Sequence, residues 1–277
     1  MNPPHPSTPL FSHCQIPPWQ LAAPEFQADP QPLELGDVRH TERRLWQALA
    51  ALPDAAARAR YFHDYVSVKF SLHSWIDQTA AARTALRHSY VHCLRHWGVD
   101  SNGPSGAALK AWVESRFGLR PTYHAGILAS DPAARARFAH DRMTGAARAM
   151  GLSQQFDLLY TFCQRELARR RPGERWITLY RGTHDPEEYA VRTPPPSLPS
   201  ASAATPLPGA LLVEFNNLSS FTADAEVAWE FGSSIWSVRV PTAKVFCFSG
   251  LLPPEFLQGE SEYLVLGGLY AVAPLTA

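Results

Sequence analysis

The residues change character at Arg175, and that change constrains the fold more than any single motif. Upstream of it, apolar side chains recur at the three- and four-residue spacing of one helical face. Downstream, β-branched and aromatic residues gather in short runs such as Trp176-Ile177-Thr178-Leu179-Tyr180, which favour strands. A helical half followed by a β-rich half predicts an α+β architecture. The expected organisation is an extended, proline-rich N-terminal arm over residues 1–38 and a single domain over residues 39–277. That domain is helical over 39–172 and β-rich over 173–277.

Local punctuation divides both halves. Thr41 opens a helix carrying Leu45, Trp46 and Leu49, and Asp54 caps a second one with Phe62, Tyr65 and Val66. Further helices are expected over 79–97, ending at Gly98, and over 105–117, ending at Gly118. Asp131-Pro132 starts a fifth, because aspartate caps well and proline suits the first turn. A sixth covers 153–171. Strands are expected over 176–180, 211–215, 235–240, 244–248 and 263–272, with a short helix starting at Asp224. Residues 192–208 read as an exposed loop. In the arm, Trp19, Leu21, Phe26, Leu33 and Leu35 suggest that its later half docks on the rest of the chain.

The composition removes several function classes. Twenty-five basic residues balance twenty-five acidic ones, which argues against a general polyanion binder. The basic residues are nearly all arginine; the lysines are Lys69, Lys110 and Lys244, a bias best ascribed to codon usage. Cys14, Cys93, Cys163 and Cys247 are far apart and form no CxxC pair, so zinc ribbons, redox dithiols and disulfide frameworks have no support. Free thiols in a reducing compartment are expected. The N-terminus lacks a basic segment followed by an apolar one. The most apolar stretch, 263–275, is too short to span a bilayer and is broken by Gly267-Gly268. The expectation is a soluble, cytoplasmic protein.

The chemistry-bearing segments lie in the β-rich half. Glu260-Ser261-Glu262 follows a turn-rich stretch and leads into Tyr263-Leu264-Val265-Leu266. Side chains alternate along a strand, so Glu260 and Glu262 would share a face at the strand's start, where they can serve a cleft. Two upstream segments fit the same kind of site: Leu179-Tyr180-Arg181-Gly182-Thr183 and Leu218-Ser219-Ser220-Phe221-Thr222.

In this order, Tyr180-Arg181-Gly182, Ser220-Phe221-Thr222 and Glu260-Ser261-Glu262 resemble the arginine-specific mono-ADP-ribosyltransferases, a group with an Arg, Ser-Thr-Ser, Glu-x-Glu signature. Within it the chain is most similar to the dinitrogenase reductase ADP-ribosyltransferases of nitrogen-fixing bacteria. That likeness extends over the helical half and includes Phe62-His63-Asp64-Tyr65 and Phe215-Asn216-Asn217-Leu218. It implies a transferase that uses NAD+ as co-substrate and modifies an arginine of dinitrogenase reductase, the nitrogenase iron protein. Such modification would switch off nitrogen fixation. It also implies regulation by a PII-type nitrogen-signal protein docking on the helical half.

The chemistry assigns roles within that resemblance. Cleaving nicotinamide from ribose leaves positive charge on the sugar, which a carboxylate stabilises as in glycoside cleavage. Glu262 would do this and hold the ribose 2′-hydroxyl. Glu260 would orient the incoming guanidinium and take its proton. Ser220 would hydrogen-bond the catalytic glutamate and steady the ribose. Arg181 would clamp the NAD phosphates, with Tyr180 beside it, and Gly182 would let the cofactor approach closely. Phe221 departs from the family pattern and should turn into the core, while Thr222 keeps a hydroxyl at the cofactor. Phe256 and Gln258 precede the glutamates where this family recognises its target; a plain connecting loop is the equal alternative. Asn216 and Asn217 either shape the cleft or end a strand.

Three rival readings are weaker. A glycoside hydrolase needs carboxyls on opposite sides of the scissile bond, whereas these share a face. A non-catalytic NAD- or partner-binding module does not need both glutamates. A transferase with a different protein target is also compatible with the residues. His88, His92 and His96 line one helical face, but ligands stacked along a straight helix diverge too far to share one ion, so no metal is expected.

Overall fold

The structure is a computed structural model that describes residues 13–72, 89–147, 151–184, 189–192, 211–254 and 262–275. Helices fill the first half: α1 Pro18–Ala22, α2 Pro24–Ala28, α3 Val38–Thr41, α4 Arg43–Ala51, α5 Ala55–Lys69, α6 Tyr90–Trp97, α7 Pro104–Phe117, α8 Pro132–Ala147 and α9 Leu152–Arg170. Strands β1 Trp176–Thr183, β2 Ala190–Arg192, β3 Leu211–Thr222, β4 Ser234–Pro241, β5 Val245–Phe248 and β6 Glu262–Leu275 follow, with helix α10 Ala225–Glu230 between β3 and β4. The α+β expectation holds.

Most local signals act as their chemistry requires, with two corrections. Thr41 ends α3, while α4 begins at Arg43 without a side-chain cap. Ser89, within the helix expected over 79–97, is the N-cap of α6, residues 79–88 lying outside the described residues. Asp54 accepts from the Ala57 amide, Ser89 from His92, Asp131 from Ala133 and Ala134, and Asp224 from Glu226, each at the start of a helix. Gly118 ends α7 in the left-handed region at φ 68°. The arm departs from the extended form expected of it. Pro18 and Pro24 each sit in a first helical turn, where their missing N–H costs nothing. Leu21, Phe26, Leu33 and Leu35 are buried, while Trp19 is exposed. Gln27 anchors the arm to the sheet like an extra strand residue. Its amide donates to the Arg239 and Ala271 carbonyls, and its carbonyl accepts from the Ala271 N–H.

The sheet is antiparallel throughout, in the order β2-β3-β1-β4-β6-β5, with β3 also pairing β6. Strand β6 organises it. Its first half lies between β3 and β5 and its second half between β3 and β4, with Gly267-Gly268 at the transition. A Cβ on Gly267 would fall 1.9 Å from the Asn216 carbonyl oxygen, so only glycine allows β3 and β6 to cross there. Helix α9 covers the edge strand β5. Gln164 donates to the Val245 carbonyl at 2.7 Å, which occupies an acceptor of that edge, and Tyr160 donates to the Ala243 carbonyl at 2.7 Å in the turn before it. Trp112 of α7 meets Phe246 of β5 with ring centroids 4.9 Å apart, and Phe62 of α5 stacks on Phe162 of α9 at 4.2 Å. Helices and sheet therefore share one apolar core.

None of the four cysteines forms a disulfide and all are buried. Burial pushes the Cys93 thiol up to about 12 and raises Cys163 and Cys247 as well, so these sulfurs are packing atoms rather than nucleophiles.

Lys244 is wholly buried, donating to the Gly267 carbonyl at 3.0 Å and lying 4.5 Å from the Tyr270 ring centroid. Desolvation lowers its pKa from 10.5 to about 7. A depressed lysine pKa means that the unfolded chain holds the proton more tightly, so stability rises with pH between those two values. Below about 7 the penalty is complete. Lys244→Met should therefore stabilise the fold at neutral pH by roughly 2 kcal/mol. Urea unfolding should show that gain shrinking toward pH 10.5; no gain at neutral pH would mean the rings and carbonyl fully compensate the charge.

Candidate active site

Three adjoining strands deliver the site. Thr222 of β3 pairs with Glu262 of β6 and also with Tyr180 of β1, so the ends of three strands meet there. Ser220 pairs with Leu264. Ser220 and Glu262 therefore lie diagonally on the same sheet face, within reach of a long side chain. The Ser220 hydroxyl donates to Glu262 Oε1 at 2.7 Å. The Ser249 amide donates to the Glu262 carbonyl at 2.8 Å and fixes the backbone where β6 begins.

Arg181 lies beside this pair. It donates to the Ser220 carbonyl at 2.5 Å and sends two further N–H groups to the Tyr189 hydroxyl at 3.0 and 2.8 Å. Its guanidinium lies against the rings of Tyr189 and Phe221. A guanidinium has five N–H donors, so these contacts hold it rigid and leave donors over for another ligand. Burial pushes the Glu262 carboxyl above the usual carboxylate range. The Ser220 hydrogen bond and the nearby Arg181 charge act in the opposite direction.

Other residues named from the sequence serve different local purposes. Phe221 is buried and meets Phe215 edge-on at 5.0 Å, as its place on the opposite face required. Thr222 is also buried, and its hydroxyl accepts from the Asp224 amide at 3.1 Å in the turn leading to α10. Tyr180 is half-buried on β1. The missing side chain of Gly182 faces protein backbone: a Cβ there would stand 2.1 Å from the Ala228 carbonyl oxygen and 3.0 Å from the Gly232 amide. Close packing of α10 on β1 by itself requires glycine at this position. Glu260, Phe256 and Gln258 lie outside the described residues, as does His88. His96 donates from Nδ1 to the His92 carbonyl at 3.0 Å, and the two rings lie 3.8 Å apart. Among the described residues no group of three His, Cys, Asp or Glu side chains is placed to hold a metal ion.

The helical half also contributes to the site, through contacts that no motif in the sequence marks. Trp97, the last residue of α6, donates its indole N–H to the Ser220 hydroxyl at 2.8 Å. Asn216 and Asn217 form the bulge of β3 and bind the helical half. Asn216 accepts from the Thr122 amide and donates to the Tyr123 carbonyl, both at 2.9 Å; Asn217 donates to the Lys110 and Leu119 carbonyls at 2.8 and 3.0 Å. Their adjacency to the serine segment was visible, but not the loop that they would meet. A cavity of about 930 Å³ elsewhere, lined by Glu34, Arg39, His40, Arg43, Trp46 and Arg165, includes none of Arg181, Ser220 or Glu262.

Strands β1, β3 and β6 thus bring together Arg181, Ser220 and Glu262, one residue from each of the three segments singled out in the sequence. A family profile described as dinitrogenase reductase ADP-ribosyltransferase (DRAT) matches residues 11–273. A relative named NAD(+)--dinitrogen-reductase ADP-D-ribosyltransferase, from Rhodospirillum rubrum, is 36% identical over 258 residues, covering 91% of this chain and 90% of its own length. No solved structure matches the chain. The chain belongs to the dinitrogenase reductase ADP-ribosyltransferase family.

Proposed function

We propose that this chain transfers ADP-ribose from NAD+ to an arginine of dinitrogenase reductase and so inactivates it. The observation that carries this reading is the Ser220–Glu262 hydrogen bond at 2.7 Å beside the Arg181 guanidinium. The family and the name of the R. rubrum relative support the donor and the protein target.

The chemistry follows from charge. As the bond between ribose and nicotinamide breaks, its electron pair leaves with the nicotinamide and positive charge develops on the sugar. An ionised Glu262 in a desolvated site stabilises that charge strongly, because little water screens it. Ser220 keeps the carboxylate oriented, and the remaining Arg181 donors suit the phosphates of NAD+. A guanidine nitrogen then bonds to the sugar carbon and releases a proton, for which Glu260 is the assigned acceptor. Phe256 and Gln258 would touch the target. The buried Thr222 and half-buried Tyr180 would shape the cofactor cleft from behind.

Residues 39–277 would work as one cytoplasmic domain, regulated by a PII-type protein on the helical half. Labelled NAD+ mixed with the pure protein and dinitrogenase reductase, with and without a PII-type protein, tests the whole reading. Label should appear on one arginine of the target, and the PII-type protein should change its rate. Intact target without label overturns the transferase reading; an unchanged rate overturns the regulatory one. No helix of the described residues is long and apolar enough to cross a membrane.

A further inference from the structure

We infer that Trp97, which lies outside the three signature segments, is a positioning residue that sets the direction of the Ser220 proton. The inference rests on the proposed function. An indole N–H can only donate, so at 2.8 Å the Ser220 oxygen must accept from it. A serine hydroxyl has one proton, and with Trp97 occupying a lone pair that proton is turned to Glu262 Oε1 at 2.7 Å. The result is a one-way chain, from indole to hydroxyl to carboxylate, in which each bond polarises the next.

Trp97 is itself held firmly. It is buried at the end of α6, and the Lys110 ammonium lies 5.8 Å from its ring centroid. Lys110 is buried too, donating at 3.1 Å to both the Asn102 side chain and the Tyr123 carbonyl. Helical-half residues thus orient a hydroxyl that belongs to the sheet. Trp97 lies behind Ser220 in this chain and acts through it, which makes it a positioning rather than a catalytic residue.

Losing the indole donor would free Ser220 to rotate and weaken its donation to Glu262. That donation opposes the burial that raises the Glu262 pKa, so the pKa should rise further. Trp97→Phe keeps an aromatic ring and removes the N–H. It should lower kcat about tenfold, roughly one hydrogen bond to a charged group, while changing KM for NAD+ much less. The acidic limb of its kcat/KM profile should move to higher pH. In a Ser220→Ala background the same substitution should have almost no further effect. Equal losses in both backgrounds, or an unmoved acidic limb, would reduce Trp97 to a packing residue.

A second measurement does not depend on that variant folding. Among the indole N–H resonances of the eight tryptophans, one should follow the Glu262 titration in the otherwise unaltered protein and stop doing so in Ser220→Ala. If no indole resonance follows it, the inference fails. An unaltered protein that does not label its target would overturn the proposed function instead, while this spectroscopic test still stands.

Discussion

Glu262→Gln should lose transfer activity by about a thousandfold or more and should also be more stable than the parent at neutral pH. Both effects have one cause. The carboxylate proposed to face a forming sugar cation sits where burial opposes its ionisation, and Ser220 and Arg181 offset only part of that cost. Its folded-state pKa is raised, so the folded state binds the proton more tightly than the unfolded chain. The stabilising contribution is complete below the unfolded value and is lost as pH rises through the folded one. At neutral pH the ionised group is a net cost, which glutamine removes while still accepting from Ser220. Labelled-NAD transfer measures the first effect. Urea unfolding at neutral and acidic pH measures the second, with the gain shrinking toward acid. Activity within tenfold of the parent would show that Glu262 is not the stabilising carboxylate.

The largest stability loss should follow from Glu166→Ala, about 3–5 kcal/mol in urea unfolding. Arg58 of α5 grips the carboxylate of Glu166 in α9 with two parallel bonds, at 2.6 and 2.9 Å. Their side chains are only 6% and 2% exposed, so water cannot take over from a lost partner. Arg58 also donates to the Leu52 and Pro53 carbonyls, tying the turn before α5 into the same knot. Removing the glutamate leaves a desolvated guanidinium that cannot lose its proton. Replacing both residues together, as Arg58→Met with Glu166→Leu, should recover most of the loss, because the strongest penalty belongs to the orphaned charge. Destabilisation by the double variant as large as by Glu166→Ala would mean that the pair is itself a net source of stability.

The legible parts of the chain were those governed by near neighbours. Asp54, Asp131 and Asp224 mark helix starts because a cap reaches only two or three residues ahead. The inward turn of Phe221 followed from strand alternation, which is also local. By contrast, β2 leaves no mark in the sequence, because three residues become a strand only when β3 offers them an edge. Prolines dominate the composition of the arm, which predicts an extended chain where the structure has helical turns. Of the three lysines, composition could not show that Lys110 and Lys244 would be buried. Nor does the sequence show that the backbone of α10 packs directly against Gly182.

The amino-acid order by itself determined the α+β division near Arg175, the helix starts at Asp54, Asp131 and Asp224, and the succession of arginine, serine and glutamate proposed to form the active site. Each depends on residue type and short spacing, which the chain carries before it folds. Only the tertiary structure decided that Trp97 would meet Ser220 across 123 positions and that Asn216 and Asn217 would join the sheet to the helical half. Such contacts form only when distant segments pack, and a linear pattern holds no distance between them.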